Sequence, residues 1–111
     1  MTGITTHILD LTAGTPAAGV AVSLEHREAS GWAMLGRAVT DQDGRVRDAF
    51  PAPPAPGRYR LTFATGEWFA GRGMASFHPE VTVTFEIRDA RQHHHVPLLL
   101  SPFGYSTYRG S

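Results

Sequence analysis

The sequence predicts an all-β fold: two antiparallel sheets packed as a sandwich, about eight strands in all, with one short helix. Three observations carry this expectation. Segments 19–27, 58–65 and 80–88 alternate apolar and polar side chains with a period of two, as half-buried strands do. Turn-forming clusters such as Ala13-Gly14-Thr15-Pro16 and Asp41-Gln42-Asp43-Gly44 punctuate the chain at regular spacing. One stretch, 66–74, breaks the alternation and fits a helix instead. With 111 residues the chain reads as a single domain, 1–111. A domain of this size buries roughly 65% of its unfolded surface, enough for a core without cross-links.

The elements follow in order. Residues 4–12 are an Ile- and Thr-rich strand, with His7 on the same face as Thr5 and Leu9 because strand side chains alternate. In 19–27, Val20, Val22 and Leu24 point one way while Ala21, Ser23 and Glu25 point the other. Residues 32–40 make a third strand, and a short fourth begins at Arg45 and ends at Phe50. The run from Pro51 to Gly57 holds four prolines, cannot join a ladder for want of N–H donors, and reads as an exposed, semi-rigid loop. Its rival reading, a Pro-rich ligand for another module, is disfavoured because the run is short and lies between two strands. In 58–65, Tyr59, Leu61 and Phe63 face inward. The helix at 66–74 carries three glycines, so packing of Trp68 and Phe69 must hold it. In 80–88, Val81, Val83, Phe85 and Ile87 share a face. Residues 92–100 and 103–109 are the last two strands, joined at Ser101-Pro102.

Composition excludes several classes of function. There is no cysteine, hence no disulfide framework and no thiolate metal site. The ten basic residues are all arginine and balance ten acids. Nucleic-acid and anionic-membrane partners need a basic surplus, so neither is expected. The absence of lysine removes Schiff-base chemistry. No segment approaches the ~20 apolar residues of a membrane span. The start, Met1-Thr2-Gly3-Ile4-Thr5-Thr6-His7, lacks the basic and apolar regions of a secretory signal. The end is not Ser-Lys-Leu. A cytoplasmic location is the expectation.

The groups able to do chemistry concentrate near the end. On a strand, His93 and His95 share a face and His94 points to the other. With His7 these could form a three-His zinc site. They could instead be one exposed histidine and two that are packed and hydrogen-bonded. A third reading makes His7 and His95 a metal-free acid–base pair, since each imidazole can hold or release a proton near neutrality. Arg45, just after Asp43-Gly44, is either a solvated surface residue or a planar donor fork for a carbonyl-rich or anionic ligand. The segment Tyr105-Ser106-Thr107-Tyr108 is aromatic and hydroxyl-rich, which suits an interface. No Gly-x-Ser-x-Gly elbow, P-loop or dinucleotide fingerprint is present.

Taken together, these residues resemble a known family. Thr6-His7-Ile8-Leu9-Asp10, Gly14-Thr15-Pro16-Ala17-Ala18-Gly19-Val20, Thr40-Asp41-Gln42-Asp43-Gly44-Arg45, Phe77-His78-Pro79-Glu80-Val81, His93-His94-His95-Val96-Pro97-Leu98-Leu99-Leu100-Ser101-Pro102 and Tyr108-Arg109-Gly110-Ser111 carry the likeness. The chain is similar, over essentially its whole length, to the transthyretin-related proteins and among them to the 5-hydroxyisourate hydrolases. The terminal Tyr-Arg-Gly-Ser is the feature that separates those hydrolases from hormone-carrying transthyretins.

The resemblance implies a transthyretin-like sandwich of two four-stranded sheets, assembled as a homotetramer with active sites between dimers. It implies a metal-independent, cofactor-free hydrolysis of 5-hydroxyisourate to 2-oxo-4-hydroxy-4-carboxy-5-ureidoimidazoline, a step in urate degradation. Carried over by position, it assigns His7, Arg45 and His95 to catalysis, with Ser111 positioning the histidines and Tyr108 contacting substrate. Two positions depart from the usual pattern: His94 and His78 stand where the family commonly has tyrosine. Because His94 is expected to face away from His95, altered packing rather than lost activity is the expectation. The rivals are a non-catalytic carrier of an aromatic ligand in the same fold, a metalloprotein using His7, His93 and His95, and a structural sandwich module.

Overall fold

The computed structural model describes residues 3–111. Met1 and Thr2, part of the start read above for a leader, lie outside the described residues. In chain order the elements are β1 (Gly3–Asp10), β2 (Thr15–Pro16), β3 (Ala21–Glu28), β4 (Gly31–Val39), β5 (Arg45–Val46), β6 (Gly57–Phe63), α1 (Thr65–Ala70), β7 (Val81–Ile87), β8 (His93–Ser101) and β9 (Gly104–Thr107). One sheet runs β4-β3-β6-β7. The other runs β2-β1-β8-β9, with β5 also paired to β1.

The core lies between the sheets and is built by the alternation. Val20, Val22 and Leu24 near and on β3, and Tyr59, Leu61 and Phe63 on β6, are 2% exposed or less. Ile4 and Ile8 of β1 and Leu98 and Leu100 of β8 close the core from the other sheet. On β7 only the two ends, Val81 and Ile87, are fully buried. Val83 and Phe85 are partly covered, as befits an edge strand. The helix is held as its glycine content required: Phe69 is buried and the Trp68 indole N–H donates to the Ala18 carbonyl at 2.7 Å. It is six residues long, and no helix among the described residues is long and apolar enough to cross a membrane.

Three features differ from the sequence expectation. The sheets are not antiparallel throughout: β1 and β8 pair in parallel from Gly3↔His93 to Asp10↔Leu100. Two strands some ninety residues apart in the chain are not joined by a hairpin, so nothing forces them to run oppositely. Thr15-Pro16, read as turn, adds a two-residue strand on β1. The fourth strand stops at Val46 rather than Phe50. Phe50 is buried all the same and caps the core from the loop.

Candidate active site

The site grows from the register of three strands. His7 is the cross-strand partner of Arg45 on β5 and of Pro97 on β8. Thr5 is the partner of His95. Cross-strand partners project to the same face. Ile4, Thr6, Ile8, Val96 and Leu98 all point into the sandwich and are buried. Thr5, His7, Arg45, His93 and His95 therefore share the outer face of this sheet. His94, partner of buried Ile4, turns toward the core and is 4% exposed, with its Nδ1 3.0 Å from the Gln92 carbonyl. It faces away from His95, as alternation requires.

Arg45 is aimed by the turn before it. The Asp41 carboxylate accepts N–H donors from Asp43 and Arg45, both at 2.9 Å, and the Asp41 carbonyl accepts from Gly44 at 2.9 Å. These amides hold the Asp41 carboxyl below the usual carboxylate range, the Arg45 N–H contributing most. Gly44 closes the turn at φ +74°, where a side chain is disfavoured, and its carbonyl accepts from Ile8 N–H at 2.8 Å. The turn is thus stitched to β1 one residue from His7. Arg47, unlike Arg45, is paired with Asp43 at 3.1 Å and Asp41 at 3.7 Å.

The tail is tied down over the histidines. Gly110 N–H donates to the His95 carbonyl at 2.8 Å, and Arg109 reaches the Gln92 side chain at 3.2 Å and the His93 carbonyl at 3.4 Å. The Thr107 hydroxyl donates to the Pro97 carbonyl at 2.7 Å. These bonds deliver Ser111 to the rim of an open cleft of about 410 Å³, lined also by Thr5, Arg45, His93 and His95.

Electrostatics make the two candidate bases neutral. The His7 pKa is lowered from 6.5, first by burial and then by the Arg45 guanidinium, with the backbone and carboxylates of the turn opposing. The His95 pKa is lowered likewise by burial, then by Arg45, His93 and His7. Both imidazoles accordingly stay uncharged at neutral pH and can accept a proton. The His7 Nε2 is buried and has no hydrogen-bond partner among the described residues. His95 Nδ1 is engaged by the Thr5 hydroxyl at 2.7 Å, which leaves Nε2 for a ligand.

Of the residues singled out in the sequence, Arg45, His95 and Ser111 border one cleft and His7 stands beside Arg45 in register. Tyr108 does not join them within a single chain. It is 58% exposed and borders a neighbouring slot of about 240 Å³ between Phe85, His94 and Arg109, a slot that shares His95 with the first cleft. Among the described residues no three His, Cys, Asp or Glu side chains converge as a metal site would require. The trio His7, His93 and His95 is instead interrupted by Thr5, whose hydroxyl lies between His93 and His95. Thr5 and Arg47 were not assigned a role from the sequence. The parity of Thr5 with His7 could have flagged the first, but only the parallel register brings it to His95.

Comparison with known proteins bears on what this face does. The profile of the HIUase/Transthyretin family matches residues 4–110. A 5-hydroxyisourate hydrolase of Salmonella typhimurium is 49% identical over 109 residues, covering 97% of this chain and 80% of the relative. The solved structure of Klebsiella pneumoniae 5-hydroxyisourate hydrolase superposes with a TM-score of 0.85 at 45% identity, covering 97% and 98% of the two chains. Sea bream transthyretin in complex with thyroxine superposes with a TM-score of 0.90 at 32% identity, over 96% and 93%. A match running from the first strand to the residue before the last, with the same sandwich beneath it, leaves one placement: the chain belongs to the HIUase/transthyretin family.

Proposed function

We propose that this chain hydrolyses 5-hydroxyisourate, opening its six-membered ring to give 2-oxo-4-hydroxy-4-carboxy-5-ureidoimidazoline on the path of urate degradation. Relatives named for this activity, at 49% and 45% identity, support the reading. The observation that carries it is the outer-face group itself: one guanidinium flanked by two imidazoles held neutral.

The reaction needs three things of the protein, and each has a residue. The substrate is flat and rich in carbonyl oxygens. Arg45, free of the ion pairs that occupy Arg47, binds those oxygens and stabilises the negative charge that grows as water attacks the ring carbonyl. His7 and His95 hold the water. One takes its proton as the C–O bond forms, and the proton returns to the ring nitrogen as the C–N bond breaks. Arg45 both stabilises the anion and disfavours a charged imidazole, so it keeps the bases ready until the substrate's negative charge offsets it. Ser111 orients the histidines at the rim. This scheme uses no metal and no cofactor.

Tyr108 completes the site in a homotetramer whose active sites lie between dimers. Its exposure supports an assembly that covers the tail, and Phe103 at 72% and Phe77 at 71%, by the β8–β9 turn at the other end of β9, offer further apolar surface to it. Catalysis then depends on oligomerisation. The proposed location is the cytoplasm.

A carrier of an aromatic ligand is the second reading, favoured by the 0.90 TM-score to the thyroxine complex of sea bream transthyretin. Identity to that protein is 32% against 49% and 45% for the hydrolases. A carrier also has no use for two neutral imidazoles beside a guanidinium. The deciding assay generates 5-hydroxyisourate in place from urate and urate oxidase and follows its absorbance decay with and without the protein and a chelator. Acceleration indifferent to chelator is expected. No acceleration supports the carrier, and acceleration lost to chelator supports a metal-dependent enzyme.

A further inference from the structure

Two residues of the outer-face group have no part in the scheme above: Thr5 and His93. The Thr5 hydroxyl lies 2.8 Å from His93 Nε2 and 2.7 Å from His95 Nδ1. The two rings stand 6.2 Å apart between centroids. Thr5 is only 8% exposed, so water does not compete freely for its hydroxyl. That hydroxyl has a single proton. It can donate to one imidazole and must accept from the other. The three groups therefore form a wire with two senses. In one, His95 donates from Nδ1 to Thr5, Thr5 donates to His93 Nε2, and His95 Nε2 carries a free lone pair. In the other, every bond is reversed and His95 Nε2 carries the proton.

We propose that Thr5 and His93 form a proton relay behind His95, switching its other ring nitrogen, Nε2, from acceptor to donor within one turnover. The proposal rests on the hydrolase reading of this site. In the first sense of the wire, His95 Nε2 takes a proton from water as the water oxygen bonds to the ring carbonyl carbon. The Nδ1 proton passes to Thr5 Oγ1 while the Thr5 proton passes to His93 Nε2. The net change is one proton moved from water to His93, with His95 again neutral and protonated at Nε2. Nε2 then donates to the departing ring nitrogen as the C–N bond breaks, and the wire runs back to its starting sense. No further reactant enters.

The geometry gives the relay a purpose. Arg45 is paired with His7, level with Pro97 on β8, so His95 lies two residues from that level and His93 four. Moving the positive charge from His95 to His93 carries it away from the Arg45 guanidinium. His93 is partly exposed and borders the cleft. The charged and titratable groups about it are Arg45, Arg47 and Asp48 across the cleft, His94 and His95 on its own strand, and Arg109, whose guanidinium bonds the His93 carbonyl.

The test compares wild type, Thr5→Val, Thr5→Ser and His93→Gln as tetramers of matched size, on 5-hydroxyisourate made in place, across pH. Glutamine keeps an acceptor for Thr5 but cannot take up a proton, so it separates relay from scaffolding. Expected are a fall in kcat of about ten- to a hundredfold for Thr5→Val and His93→Gln with KM little changed, near-wild-type turnover for Thr5→Ser, and partial rescue of His93→Gln by imidazole in the buffer. His93→Gln turning over as wild type with an unchanged pH profile overturns the relay, whatever Thr5→Val does. If wild type itself gives no acceleration, it is the hydrolase reading that fails. If wild type is active and both variants match it, only the relay fails.

Discussion

Gly110 and His95 are fitted to each other: the Gly110 N–H bonds the His95 carbonyl at 2.8 Å, and a Cβ at Gly110 would lie 2.5 Å from His95 Cδ2. The tail can lie along β8 at His95 only because this residue has no side chain. Gly110→Ala should push the imidazole aside without touching the core. Displacements of about 1 Å at a reacting group can cost 10²-fold. We expect kcat to fall between about ten- and a hundredfold, with KM and Tm nearly unchanged. Steady-state kinetics and a thermal melt on the same preparation check this.

Gly44 plays the corresponding part for Arg45. Its φ of +74° and the 2.5 Å approach that a Cβ would make to the Ile8 carbonyl both oppose a side chain. Gly44→Ala should lose about 1–3 kcal/mol of stability from backbone strain and lower turnover as well, because the turn that aims Arg45 is displaced. Urea unfolding and the hydrolase assay measure the two effects separately.

The acid limb of activity should be centred below pH 6.5. His7 and His95 both have pKa values lowered from 6.5 by burial and by Arg45, so each is more often the free base where an ordinary histidine would be half protonated. The acid limb of kcat/KM against pH, which reports the free enzyme, locates them. An acid limb centred above 6.5 would contradict the stated electrostatics.

Stability should depend on pH in the same direction. His7, His94 and His95 all have folded-state pKa values below the unfolded 6.5. Below pH 6.5 the unfolded chain therefore binds more protons than the folded one. Stability is fully present above 6.5 and is lost as pH falls toward the folded values. Burial is the largest cause at His94, ahead of Arg109. Replacing it by a group that stays neutral in this range, His94→Tyr, should make the slope shallower by up to one proton. Urea midpoints across pH 5 to 8 would show it.

How much of this was legible beforehand can be told from particular residues. The inward set Tyr59, Leu61 and Phe63 was readable because an amphipathic strand writes its burial into its alternation. So was the separation of His94 from His95, which needs only the parity of a strand. The parallel pairing of β1 with β8 was not, because alternation says which face a residue takes and nothing about which strand lies beside it. That pairing alone brings Thr5 between His93 and His95, so the most specific hydrogen bonds of the site were invisible in the sequence. Tyr108 was expected at the site from its motif. Within one chain it borders the adjoining slot instead, because β9 ends at Thr107 and the tail is then held by Arg109 and Gly110.

In the proposed reaction an imidazole beside Arg45 moves the proton of a hydrolytic water. This is tested by the decay of 5-hydroxyisourate, made in place by urate oxidase, under wild type and His95→Asn at equal protein concentration. Asparagine keeps a polar group of similar reach but cannot accept the proton. Wild type should accelerate the decay, and His95→Asn should lose about 10²- to 10⁴-fold in turnover with its assembly unchanged from wild type. Full turnover by His95→Asn would contradict it.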